Sequence, residues 1–237
     1  MPAAFILLTA LVLASTPTSA LAPGPDEPRP PADSFQPEPG WKALGRDTWF
    51  DPKEKRLVLR ARVALQDGAL EHLLCRKGTK EHESILATEA PARAIHAGLL
   101  LAGATPGHPV RFEPKFEPPA GSAVAIELEW DQGGKPRKAD AREWVKDQAT
   151  GKPLARDWVF AGSELFEDPR TKAIIYGADD GDLVTVANFP ASILDLPFRS
   201  SASDADRTYL ADPARVPPQG TPVTLFLRPR PVPPPTR

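Results

Sequence analysis

The chain has 237 residues, 41% of them apolar and 25% charged, which allows one sizeable domain or two small ones with a proper core. A formal net charge of −2 supplies no basic field to draw in nucleic acid or anionic lipid. A single cysteine excludes an intrachain disulfide, and with it an iron–sulfur cluster held by several thiolates of this chain alone.

The amino terminus reads as an export signal over residues 1–20. Ala3 to Ala14 form an apolar run too short to span a bilayer, and Thr18-Ser19-Ala20 offers small side chains for cleavage after Ala20. No Lys or Arg precedes the run, so an uncleaved apolar segment is the alternative. Removal of the signal implies an extracytoplasmic protein (periplasmic, envelope-bound or secreted) with no transmembrane helix in the mature chain. Residues 21–40 are dense in proline and lack apolar periodicity. They read as an extended, disordered tether, with a ligand for a proline-binding module as the second reading. A single domain is expected over 41–229, followed by a proline-rich tail at 230–237.

Within the domain, Leu57, Leu59, Ala61, Val63 and Leu65 alternate with arginines and predict a half-buried strand. Asp67-Gly68 is expected to turn it into a second strand from Ala69 to about Cys75. Thr88 is placed to cap a helix over about 89–102, which is apolar nearly all round and so expected to be buried, with Gly98 permitting close approach to a strand. Further strands are expected at 109–112, 124–130, 137–145 and 223–227, and 158–163 reads as a short buried segment. A hairpin through Asp179-Asp180-Gly181-Asp182 is expected to join 173–176 to 183–187. These elements predict an α+β fold: a mostly antiparallel sheet, one main buried helix and proline-rich disordered termini.

The chemically capable side chains gather between Glu71 and Gly103. Cys75, with Arg76, Lys77 and Lys80 nearby, reads either as an activated thiol or as a small buried residue closing a strand. Catalytic candidates are Cys75 (nucleophile), Lys80 (anion or thiolate stabiliser), His82 (base), Glu83 (its orienter) and Ser84. Metal-ligand candidates are Cys75, His82 and His96. On a regular strand His72 and Cys75 point to opposite faces and cannot share an ion. No preassembled C-x-x-C or H-E-x-x-H pair and no phosphate loop is present, so no cofactor is predicted.

Cys75 to Leu86 (CRKGTKEHESIL), AIHAGLLLAGATPGHPV, WVFAGS, Tyr176 to Asp179 and NFPASILDLP together resemble the YdjY-domain proteins, a bacterial family. The resemblance implies a β-rich domain that carries a cysteine, a K-E-H-E-S run and a histidine-bearing helix behind an export signal. It implies no particular activity. Some members are described as iron–sulfur proteins, which the single cysteine here makes untenable for this chain. The function expected is that of a non-catalytic binding or structural module of the cell envelope, its partner an envelope protein or a small ligand, with an exposed apolar patch near Trp144 or Trp158. The alternative is a thiol- or metal-dependent enzyme or redox protein centred on Cys75, His82, Glu83 and His96.

Overall fold

The computed structural model describes residues 35–200 and 208–231. The expected signal segment, most of the expected tether and the end of the expected tail therefore lie outside the described residues. Phe35, near the end of the tether, packs its ring against Trp49 at a centroid distance of 5.2 Å and lies under the Arg60 guanidinium.

Strands β1 (Lys42–Gly45), β2 (Thr48–Asp51) and β3 (Arg56–Val63) pair in succession. The short β4 (Gly68–Ala69) precedes β5 (His72–Arg76) and β6 (Ser84–Thr88), which lead to the helix α1 (Ala92–Leu101). β7 (Pro106–His108) pairs with β8 (Ala120–Gly121), and β9 (Ala123–Asp131) makes a hairpin with β10 (Pro136–Asp140) through Gly133-Gly134. β11 (Val145–Asp147), β12 (Trp158–Phe160), the hairpin of β13 (Leu165–Glu167) with β14 (Ile174–Tyr176), β15 (Asp182–Thr185) and β16 (Leu194–Asp195) follow. β17 (Tyr209–Ala211) joins β11 and β4 in a small sheet, and β18 (Pro222–Pro229) ends the domain.

The expected α+β class is overturned. The protein is mostly β, 42% strand against 11% helical, and its main sheet closes into an eight-stranded barrel rather than lying open. The ring runs β3-β18-β9-β12-β16-β15-β5-β6 and returns to β3 where Arg62 and Val63 pair with Ala87 and Leu86. Alternation along a strand is the same in an open sheet and a closed one, so closure could not be read locally. An eight-stranded barrel has an interior just wide enough for side chains to fill. Leu59, Leu74, Leu86, Leu128, Trp158, Phe160, Val184 and Leu225 are fully buried in the resulting core.

The barrel contains two parallel pairs, β5 with β6 and β15 with β16. Parallel neighbours ordinarily need a crossover of about a dozen residues or more. Here residues 77–83 and 186–193 make the two returns. The expected β3–β5 hairpin at Asp67-Gly68 is absent for this reason: β5 lies between β15 and β6 instead. The expected hairpin through Asp179–Asp182 also fails, because β14 pairs with β13 and residues 177–180 form a 3-10 turn. The strand expected over 137–145 is broken by a second such turn at 141–144.

The helix begins at Ala92, later than expected. Thr88 is still paired with Arg76 in the β5–β6 ladder, and its hydroxyl donates to the Arg60 carbonyl instead of capping the helix. α1 is not buried all round: Ile95, Gly98 and Leu99 face the barrel, while Leu100 and Leu101 are exposed. Close approach at Gly98 is real, since a Cβ there would lie 2.4 Å from Leu57 Cδ1. Among the described residues no helix is long and apolar enough to cross a membrane.

Candidate functional site

The return between β5 and β6 carries the K-E-H-E-S run, and it is tied down at both ends. The Thr79 hydroxyl donates to the Arg76 carbonyl, Lys77 N–H to the Thr88 carbonyl, and Glu71 N–H to the Glu83 carbonyl. The β15–β5 ladder beside it is irregular at two points and brings Asp182 to the return. His72 Nε2 lies 2.8 Å from Asp182 Oδ1, and Lys80 Nζ donates to the same oxygen at 2.7 Å. The His72 ring stacks on Phe189, which the Lys80 ammonium also covers. Burial alone would raise the Asp182 pKa; the bonds from His72 and Lys80 outweigh it and hold the carboxyl below its ordinary range.

His72 also belongs to a second group of polar side chains. One ligand-type atom from each of Glu71, His72 and Glu83 lies within 4.8 Å of the others, and all three residues are buried. His72 is fully buried, and its Nδ1 has no hydrogen-bond partner among the described residues. With Nε2 committed to Asp182, Nδ1 is the ring nitrogen left to meet a ligand.

Of the other candidates, Cys75 and Ser84 lie together, while His82 and His96 have separate surroundings. Cys75 is fully buried among Ser84, Thr79 and the Lys80 backbone, and burial pushes its thiol above the ordinary range. Ser84 is fully buried and its hydroxyl donates to the Leu86 carbonyl. His82 is three-quarters exposed (75%), with Nε2 3.6 Å from Glu83 Oε2. His96 sits on α1, its Nδ1 2.8 Å from the Tyr176 hydroxyl and its ring edge-on to Phe160; burial lowers its pKa, against the Gly162 carbonyl. Cys75, His82 and His96 thus meet different neighbours, and none belongs to the ligand-type group of Glu71, His72 and Glu83. Two surface clefts of about 230 and 360 Å³ are lined by none of the candidate side chains.

Residues 49–228 match the family model of the YdjY domain, well over half of the chain. The chain belongs to the YdjY-domain family. No curated protein and no solved structure matches it. Within this YdjY domain, two of the segments that carry the likeness, CRKGTKEHESIL and NFPASILDLP, fall on the two tight parallel returns. The second return holds another buried polar cluster. Asp195 Oδ1 accepts from Leu196 N–H at 2.7 Å, from Thr185 Oγ1 and from Asn188 Nδ2, while Oδ2 is buried without a hydrogen-bond partner among the described residues. Burial pushes the Asp195 carboxyl up to about 7 despite those bonds.

Sequence reading missed Glu71, Asp182 and Asp195 as members of such clusters, and it had set Asp182 aside as a turn residue. The tryptophans named for a surface patch are both fully buried, and Trp158 Nε1 donates to the Thr185 carbonyl. Exposed apolar surface lies instead on the β13–β14 hairpin, where Leu165 is 68% and Ile174 61% exposed, with Phe166 partly so.

Proposed function

We propose that this YdjY domain is an exported, non-catalytic binding module of the cell envelope, and that it takes a partner protein on the β13–β14 hairpin. The observation that carries the reading is the exposure of Leu165 and Ile174 on a hairpin whose two edges pair with nothing else among the described residues. Clustered exposed apolar side chains mark interaction surfaces, and free strand edges accept an added strand. The hairpin is also anchored: Leu165 is opposite Tyr176, whose hydroxyl meets His96 on α1, and exposed Leu100 lies one turn further along that helix. An extended partner segment with alternating apolar side chains fits this surface. Against the thiol-dependent alternative stand the burial of Cys75 and the exposure of His82, which set the expected nucleophile and its base in different surroundings.

The test is site-specific photo-crosslinking in the native host, with the photoreactive residue at position 165, at position 174, or at exposed Glu127 on β9 as control. Discrete adducts from 165 and 174 that are absent at 127 are expected. No discrete adduct at either hairpin position removes the reading.

A further inference from the structure

We propose that Glu71, His72 and Glu83 form a binding site for one first-row divalent cation of the zinc or manganese type. Two acidic side chains close together would not suffice, since such pairs are common without a metal. The deciding feature is His72, whose fully buried Nδ1 has no hydrogen-bond partner while its Nε2 is fixed on Asp182 at 2.8 Å. A buried imidazole nitrogen ordinarily finds a partner, because leaving it unpaired costs free energy. The Nε2 proton donated to a carboxylate leaves the Nδ1 lone pair for a metal, and such a carboxylate partner orients metal-binding histidines and raises their basicity. Lys80 donates to the same Asp182 oxygen and holds that carboxylate in place.

The fold brings the three ligand residues together. Glu71 and His72 are adjacent at the start of β5, and Glu83 ends the return from β5 to β6, its carbonyl bonded to Glu71 N–H. Their ligand atoms, within 4.8 Å of one another, are close enough to converge on one ion. Two carboxylates and one imidazole suit borderline divalent ions, and three protein ligands leave a coordination position for water or a small ligand. The site lies on the tight parallel return and stands on observations separate from the apolar hairpin. It can therefore fail or hold without the proposed function.

The experiment is calorimetric titration of the chelator-stripped full chain with Zn²⁺ and, separately, with Mn²⁺, with melting curves of each variant in chelator as baseline. One ion per chain is expected. Glu71→Gln and Glu83→Gln should weaken binding by tenfold or more, and Asp182→Asn, which leaves all three ligands in place, by roughly 10–100-fold. Cys75→Ala and Glu127→Gln should leave it unchanged. If His72→Gln fails to fold, the carboxamide variants, each read against its own metal-free melting curve, still decide the matter. Absence of one-to-one binding by either ion, retention of binding in the Glu71→Gln/Glu83→Gln double variant, or its loss in Cys75→Ala overturns the proposal.

Discussion

His72 on β5 and Asp182 on β15 meet at 2.8 Å inside the barrel wall, and Lys80 reaches the same carboxylate oxygen from the adjoining return. The three groups make a buried ionic network in which each member is expensive to leave alone. Asp182→Ala should destabilise the domain by about 3–5 kcal/mol, since it strands an imidazole and a largely covered ammonium. Lys80→Met should cost only about 1 kcal/mol, because His72 still satisfies the carboxylate and an apolar side chain replaces the ammonium over the Phe189 ring. Urea denaturation of the two variants beside the parent measures both; a larger loss for Lys80→Met would place the weight of the network on the return.

Cys75 offers a kinetic check. Its side chain is fully buried and its thiol is held protonated by burial. Alkylation of the native protein by a maleimide or iodoacetamide at neutral pH should therefore run orders of magnitude slower than in denaturant, at a rate set by opening of the domain. Fast modification of the folded chain, complete within the dead time of the denatured control, would show an accessible thiolate.

How far the fold was legible depended on whether the deciding interaction was local. Val124 to Trp130 and Val223 to Leu227 alternate over enough residues to be read as strands, and they are β9 and β18. The ring is different, since it closes by pairing Val63 with Leu86 and by threading β5 between β15 and β6. No local pattern carries that choice. The site divides along the same line. Glu83 and Lys80 stood out because they sit in a charged run, whereas Asp182 comes from a hundred positions away (|i−j| = 102 from Lys80) and looked like a turn residue. Trp144 and Trp158 misled because aromatic residues serve cores as readily as interfaces.

Gly181 precedes Asp182 and fixes the seat of the return. Its φ is +118°, and a Cβ there would lie 2.4 Å from Thr79 Oγ1, the hydroxyl that closes the loop on Arg76. Gly181→Ala should cost about 1–3 kcal/mol from backbone strain, with further loss from displacement of Thr79. Gly103→Ala is the matched control: its φ is +92°, but nothing lies within 4 Å of the added methyl. It should show the smaller, purely conformational penalty. Equal losses in thermal or urea melts would mean that Thr79 yields freely.

A buried carboxyl and a half-buried imidazole give the stability of the domain opposing dependences on pH. Asp195 has a folded pKa of about 7 against an ordinary 3.8, so between those values the folded state holds a proton that the unfolded state has released. Its contribution is fully present below the ordinary carboxylate pKa and declines as pH rises through about 7. His96 is shifted the other way: burial lowers its pKa below 6.5, so its contribution is present above that value and is lost as pH falls through the folded pKa. Asp195→Asn keeps the acceptor for Leu196 N–H and removes the ionisation, so its stability relative to the parent should rise between pH 5 and pH 8 by a few kcal/mol. His96→Gln should gain on the parent only below the ordinary histidine pKa. Melting curves of the three proteins across this range separate the two groups. A constant difference between the parent and Asp195→Asn at every pH would mean that Asp195 titrates as an ordinary carboxylate, in which case its unpartnered Oδ2 must reach solvent.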